Sequence, residues 1–142
     1  MINAKIKFHI KEKINFDNEW ILTIWKKILC DNNIFNGSVT IIISNDDFLR
    51  KLKLQFFNQD VLTDVIAFNL EDENDPIEGE IYISFNRVKE NAKEYNEKFI
   101  NEFKRVIIHG CLHLIGFDDS TNEEKKKMTY LENKYLNYME NS

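Results

Sequence analysis

Residues 97–116, EKFINEFKRVIIHGCLHLIG, carry the strongest structural signal in the chain. Placed on a helix, this segment has apolar residues on most of its sides, and a helix of that kind is buried in its protein. Gly116 follows the last apolar residue, at the position where glycine commonly ends a helix as its C′ residue. We therefore predict a buried helix from about 97 to 115, at the centre of the fold.

Four segments before this helix are predicted to be β-strands. Residues 5–10 alternate between polar and apolar, which is the period of a strand with one buried face. Residues 38–43 are β-branched and apolar, which is typical of a strand covered on both faces. Residues 65–68 and 81–83 are short apolar segments on either side of an acidic, turn-rich loop at 71–76. Because no helix separates these last two strands, we expect them to pair antiparallel as a hairpin.

Helices are predicted between the other strands and after the last one. A helix over 18–29 and a second helix capped by Asn45 separate the first three strands, and such crossovers favour parallel pairing. A helix over 86–95 precedes the buried one, and Ser120 with Glu123 forms a capping box at the start of a last helix. That last helix carries apolar residues on one face, namely Met128, Leu131, Tyr135 and Tyr138.

Together these elements predict an α+β fold that forms a single domain over residues 1–142. Its centre is a mixed four-stranded sheet, with three strands parallel and one antiparallel. About five helices pack against this sheet, and the buried helix is the central one.

The composition limits the class of protein. A formal net charge of −5 argues against a chain that grips nucleic acid over its whole surface, although it allows a local basic groove. No apolar run approaches the roughly 18 residues that span a bilayer, and no apolar signal segment opens the chain. Cys30 and Cys111 lie far apart and form no disulfide framework. We expect a soluble, cytoplasmic protein that engages neither a membrane nor DNA.

The buried helix also carries a candidate metal site. His109 and His113 lie four residues apart, so both rings project from one face of the helix. Gly116 ends the helix, and the chain can then return to place the carboxylate of Asp119 over the same face. Two nitrogens and one oxygen would leave one position open on a tetrahedral Zn²⁺ ion, which can activate water for hydrolysis. Asp118 is an alternative third ligand, and two satisfied core histidines are the alternative to a metal site.

Other residues near this helix have two interpretations each. Arg105 lies one turn before His109 and is a candidate catalytic residue that would stabilise an anion, unless it is simply solvated. Gly110 stands where metzincin peptidases place their general base, a glutamate, so it either admits a close approach or packs tightly against the sheet. The lysines at 125–127 could contact an RNA backbone or form an exposed helix face. Cys111 is interpreted as a core residue and His9 as a structural one.

Three motifs in the chain match the pattern of a known family. Residues 109–119, HGCLHLIGFDD, resemble the signature H-G-x-L-H-L-x-G-[YF]-D-H of the YbeY family of bacterial endoribonucleases. Residues 63–68, TDVIAF, are similar to the family's T-D-V-L-S-F, and residues 79–81, GEI, are similar to its G-D-I. Two departures from the family bear on the site: Asp119 replaces its last histidine, and Phe57 stands where an arginine is common.

The resemblance implies one zinc ion on His109, His113 and the residue at 119. It also implies cleavage of single-stranded RNA, with roles in 16S ribosomal RNA maturation and ribosome quality control, and the small ribosomal subunit as a partner. Aspartate at 119 would add negative charge and make the ion a weaker Lewis acid. Asp119 and Phe57 therefore favour an alternative, a metal-stabilised ribosome assembly factor that does not cleave. A different metallohydrolase, or an iron site of two histidines and one carboxylate, is a third hypothesis.

Overall fold

The chain folds into four strands and five helices within residues 1–72 and 75–140, the parts that the computed structural model describes. In chain order they are β1 (Ile2–Phe8), α1 (Asn18–Asp31), β2 (Gly37–Ser44), α2 (Asp46–Phe57), β3 (Val65–Asn69), β4 (Ile77–Ser84), α3 (Phe85–Glu94), α4 (Phe99–Leu114) and α5 (Asn122–Glu140). The predicted α+β class is confirmed. In the acidic loop predicted at 71–76, residues 73 and 74 lie outside the described residues, and the rest is neither helix nor strand.

The four strands form one mixed sheet in the order β1-β2-β4-β3. β1, β2 and β4 run parallel, and Ile41 at the centre of β2 pairs with Ile6 on one side and Ile81 on the other. β3 runs antiparallel to β4, so the predicted hairpin and the ratio of three parallel strands to one antiparallel strand are confirmed.

The expected parallel pairing of the second and third strands is wrong. β2 pairs with β4, and β3 lies at the sheet edge, antiparallel to β4. β4 has eight residues and buries Ile81 and Ile83 completely, whereas β3 has five residues and ends in the exposed Asn69. The crossover that starts with α2 therefore closes at β4, and the shorter strand takes the edge, as is common for edge strands.

The helices begin close to their predicted positions, with one correction at α5. The Asn45 side chain accepts a hydrogen bond from the Phe48 N–H, which confirms the predicted cap of α2. The capping box of α5 is formed by Thr121 and Glu124, not by Ser120 and Glu123, because each of the first two residues accepts the other's backbone N–H. Two overlapping copies of the capping pattern stand in the sequence, and the helix starts one residue later than expected.

The contacts of neighbouring residues on β4 show that the helices pack on both faces of the sheet. Ile81 faces Gly110 of α4, while its neighbour Tyr82 contacts Phe48 of α2. Because successive strand residues point to opposite faces, α4 and α2 cover opposite faces of the sheet. α4 is buried along most of its length, as predicted, and α5 packs Met128, Leu131 and Tyr135 into the same core, leaving Tyr138 exposed.

Two glycines allow α4 to approach the sheet closely. A Cβ on Gly110 would lie 2.7 Å from Cγ2 of Ile81 and 3.3 Å from Cγ2 of Val65. A Cβ on Gly79 of β4 would overlap Cδ1 of Leu114. The structure therefore supports the packing interpretation of Gly110.

The structure also locates the two cysteines and His9, whose roles were interpreted from the sequence. Cys111 is fully buried in the core, as expected, and burial raises the pKa of its thiol to about 12. Cys30 is exposed and both cysteines are free. β1 ends at Phe8, but the exposed His9 still donates its backbone N–H to the carbonyl of Ile43 at 2.8 Å. Among the described residues, no helix is both long and apolar enough to cross a membrane.

We expect Gly110→Ala to lower the free energy of unfolding by about 1–3 kcal/mol, because the added methyl group overpacks the contact with Ile81. Helix propensity alone predicts the opposite sign, a gain of about 1 kcal/mol for alanine. Urea unfolding measures the difference. In an Ile81→Ala background, which removes the contacting methyl group, the same substitution should cost little. A Gly110→Ala protein that is more stable than the wild type would contradict the close approach.

Candidate metal centre

The end of α4 turns the chain back over the helix. The N–H of Gly116 bonds the carbonyl of His113 at 3.1 Å, and the N–H of Phe117 bonds the carbonyl of Leu112 at 3.1 Å. These two bonds form a Schellman motif, in which the C′ residue takes a left-handed conformation. Gly116 has a φ of +106°, which glycine adopts without strain. The turn carries Asp119 back toward the histidines on α4.

Three side chains meet at this turn. Nε2 of His109 and Nε2 of His113 lie 2.9 Å apart. Oδ2 of Asp119 lies 3.3 Å from the first nitrogen and 3.6 Å from the second. All three side chains are half-buried, and they form the group that could hold a metal ion in the described part of the chain. Asp118 is exposed and is not part of this group.

The spacing of the three atoms fits a zinc ion. Zinc bonds of 2.0–2.1 Å in tetrahedral geometry place neighbouring ligand atoms about 3.3 Å apart, and the three observed distances bracket that value. Two imidazole nitrogens and a carboxylate oxygen are also donors that zinc and other first-row divalent metals accept. His109, His113 and Asp119 could therefore hold a single divalent cation and leave a coordination position free.

A buried carboxylate holds His109 from the side opposite to its Nε2 atom. Nδ1 of His109 lies 2.7 Å from Oε2 of Glu132 on α5, and Glu132 is 3% exposed. A proton on Nδ1 completes this hydrogen bond and leaves the Nε2 lone pair free for a cation. Burial lowers the pKa of His109, but the hydrogen bond and charge of Glu132, together with the charges of Asp119 and Asp64, outweigh burial, so the pKa is raised.

Arg105 belongs to the same buried network. Its Nη1 donates to Oε1 of Glu132 at 2.8 Å, and its Nε donates to Oε1 of Glu102 at 2.9 Å. Burial disfavours the charge of Arg105, but these hydrogen bonds to Glu102 and Glu132 outweigh it and raise its pKa. Arg105 does not line the cavity beside the metal ligands. A contact between Arg105 and a phosphate stays a prediction. In the structure the Arg105 guanidinium is hydrogen-bonded to the carboxylates of Glu102 and Glu132.

The sequence interpretation missed Glu132 and Glu102, although a signal was present for both. Glu132 follows Leu131 on the apolar face of α5, and Glu102 precedes Phe103 on the buried helix α4. A carboxylate at a core position is costly unless it has a partner. Glu102 and Glu132 at core positions therefore each predict a buried cation or hydrogen-bond donor nearby. In the structure Arg105 is that partner for both.

A cavity of about 430 Å³ opens beside the three candidate metal ligands along the edge strand β3. Besides the three ligands, its lining residues are Lys53, Phe57, Thr63, Asp64, Val65, Ile66 and Ala67. The carboxylate of Asp64 accepts a hydrogen bond from Nδ2 of Asn91 at 3.2 Å, and its negative charge contributes to the raised pKa of His109. Five of the six residues of the second sequence motif, 63–67, therefore line this cavity.

Comparison with known protein families assigns the chain to one of them. The family model described as Endoribonuclease YbeY matches residues 2–140, nearly the whole chain. The chain belongs to the YbeY family.

Relatives described as Endoribonuclease YbeY match along most of their length. One from Flavobacterium johnsoniae is 34% identical over 124 residues, which cover 87% of this chain and 88% of the relative. One from Amoebophilus asiaticus is 36% identical, covering 96% and 94%, and one from Karelsulcia muelleri is 37% identical, covering 98% and 96%. The solution structure of a Thermotoga maritima protein is similar in fold, with a TM-score of 0.58, 32% identity, and coverage of 96% of this chain and 87% of that one.

We expect Glu132→Gln to weaken zinc binding about 10–100-fold, the usual effect of losing a carboxylate that orients a histidine ligand. Competition with a chromogenic zinc chelator, at a temperature where circular dichroism shows both proteins folded, measures the affinity. Glu123→Gln on the exposed start of the same helix is the matched control and should bind zinc like the wild type. Unchanged affinity in a folded Glu132→Gln protein would show that Glu132 does not position His109.

Proposed function

We propose that this protein is a zinc-dependent endoribonuclease that works as a single domain on single-stranded RNA. We further propose that its substrate is ribosomal RNA of the small subunit (16S), and that it acts in rRNA maturation and ribosome quality control in the cytoplasm. The observation that carries the proposal is the convergence of three metal-binding atoms beside an open cavity, in a member of the YbeY family.

The side chains around the cavity have distinct roles in this proposal. His109, His113 and Asp119 would hold the ion, and Glu132 would keep Nε2 of His109 directed toward it. A bound zinc ion would supply Lewis acidity, which polarises a phosphate oxygen and eases the ionisation of water. Asp64 lines the same cavity as the three ligands, and the hydrogen bond from Asn91 holds its carboxylate in place. In this proposal Asp64 would accept the proton of the attacking nucleophile.

The side chains that line the cavity carry a net negative charge, so a cation would be needed there to bind a phosphodiester. Two carboxylates, Asp64 and Asp119, line it, and Lys53 is the single lysine or arginine among its lining residues in the described chain. A phosphodiester would meet net repulsion there unless a divalent ion offsets the carboxylates. The lysines at 125–127 are exposed and stay a prediction for RNA contact.

A second candidate function is a metal-stabilised assembly factor that binds the small ribosomal subunit without cleaving RNA. The observations that favour it are Phe57, which lines the cavity where the family commonly carries arginine, and Asp119 in the ligand set. Cleavage of purified single-stranded RNA by the zinc-loaded protein separates the two functions. Elemental analysis of the purified protein distinguishes zinc from iron.

His109→Ala should abolish both zinc retention and RNA cleavage, because it removes one of the three ligand atoms. Zinc content is measured by elemental analysis, and cleavage is measured on a purified single-stranded RNA. His9→Ala is the control, since His9 is an exposed histidine outside the site. Cleavage at the wild-type rate by His109→Ala would refute the proposal, and a zinc-loaded wild type that never cleaves would favour the assembly factor.

Asp119→His should retain zinc and raise the cleavage rate severalfold. The substitution removes a negative charge from the ligand set, which makes the ion a stronger Lewis acid, and it restores the family signature. Single-turnover cleavage at saturating protein isolates the chemical step, and Asp119→Ala, which should lose zinc, is the control. A folded Asp119→His protein with full zinc and a lower rate would show that the aspartate does more than coordinate.

A further inference from the structure

An exposed row of aromatic side chains leads to the cavity. Phe68 of β3 is its centre, and its ring contacts Phe57 at 5.9 Å, Phe56 at 5.2 Å and Tyr82 at 6.0 Å between centroids. Tyr82 in turn contacts Phe48 at 5.9 Å. We call these five residues the aromatic row.

Much of this row is open to solvent. Phe56 is 58% exposed and Phe57 is 45% exposed, both at the end of α2. Leu49 is the only residue of α2 that is buried. A contiguous exposed apolar surface on a folded protein commonly marks a binding site.

The row reaches the metal ligands through Phe57. Phe57 and Lys53, one turn apart on α2, line the same cavity as His109, His113 and Asp119. Nζ of Lys53 lies 4.7 Å from the centroid of the Phe57 ring. The ammonium group of Lys53 therefore covers a face of the Phe57 ring beside the candidate metal centre, and a base that stacks on that face would displace it.

A second lysine–phenylalanine pair lies near Asp119, with its ring partly buried against the core. Nζ of Lys127 on α5 lies 5.6 Å from the ring of Phe117, two residues before Asp119. Exposed aromatic rings interleaved with lysines are the features by which proteins hold single-stranded nucleic acid, since bases stack on the rings and lysines neutralise phosphates.

We propose that Phe57 and Lys53 form a base-stacking subsite, which seats one unpaired RNA base on the Phe57 ring beside the metal ligands. This proposal rests on the proposed nuclease function, and it specifies which part of the RNA the protein recognises, namely an unpaired base. In a duplex, both faces of each base are covered by its neighbours, so the ring has no base to stack on. The subsite therefore selects single strands over duplexes.

The test measures binding of a fluorescein-labelled ten-nucleotide single-stranded RNA to the zinc-loaded protein by anisotropy, with probe length checked on a gel after each titration. Phe57→Ala and Phe57→Leu should each weaken binding at least about fivefold, the low end for loss of one stacked base, whereas Phe57→Trp should not. Phe35→Ala is the matched control, because Phe35 is 75% exposed and is not among the cavity's lining residues. Binding of the duplex should not depend on Phe57.

Two further arms test the chemistry of the contact. A probe with abasic nucleotides should bind the wild type and Phe57→Ala equally, because it has no base to stack. Lys53→Gln should make the dependence of log affinity on log salt concentration shallower by about 0.7, the value for one lost phosphate contact on a single strand.

Several outcomes would overturn the subsite. Phe57→Leu that binds as tightly as the wild type would show an apolar contact without stacking, and a wild type that does not bind the single strand would remove the subsite altogether. Self-association that Phe57→Ala abolishes, with RNA binding unchanged, would assign the aromatic row to a second copy of the chain.

The subsite and the nuclease fail separately. RNA cleavage with Phe57-independent binding would refute the subsite and leave the nuclease standing. Phe57-dependent binding without any cleavage would refute the nuclease and leave the subsite standing.

Discussion

The close approach of α4 to the sheet is the constraint on which the site depends. Gly110 lets the helix backbone lie against Ile81 and Val65, and this depth places His109 and His113 beside the edge strand β3. A larger residue at 110 would lift the two rings away from the cavity that residues 63–67 line. Zinc peptidases with the His-Glu-x-x-His motif carry their general base at the position that Gly110 occupies here, so under the proposed function the proton acceptor would be another residue, Asp64.

Buried charge supports the same helix. Glu102 and Glu132 each bond Arg105, so two carboxylates share one guanidinium and the trio carries one net negative charge. That excess charge faces Nδ1 of His109, at 2.7 Å from Glu132. A buried negative charge is costly alone, but it is compensated when the histidine donates a proton and its other nitrogen binds a cation. A proton or a bound cation on Nε2 of His109 would each offset this charge, and the raised pKa of His109 reflects the first of these.

The elements and the three candidate ligands could be predicted because local sequence determines them. Periodicity identifies α4, the four-residue spacing puts His109 and His113 on one face, and Gly116 ends the helix. The order of the strands could not be predicted, since the place of β4 beside β2 depends on lengths and burial compared across the sheet. Glu132 was missed because its partners His109 and Arg105 are 23 and 27 residues away on another helix.

Glu132 also links the site to the last helix of the fold. The candidate ligands lie on α4 and the loop after it, while the carboxylate that contacts Nδ1 of His109 lies on α5. By thermodynamic reciprocity, an ion that binds more tightly when α5 is docked must also hold α5 more firmly in place. Metal supply in the cell would then set how often this C-terminal helix opens to proteases, and so the lifetime of the protein as well as its activity.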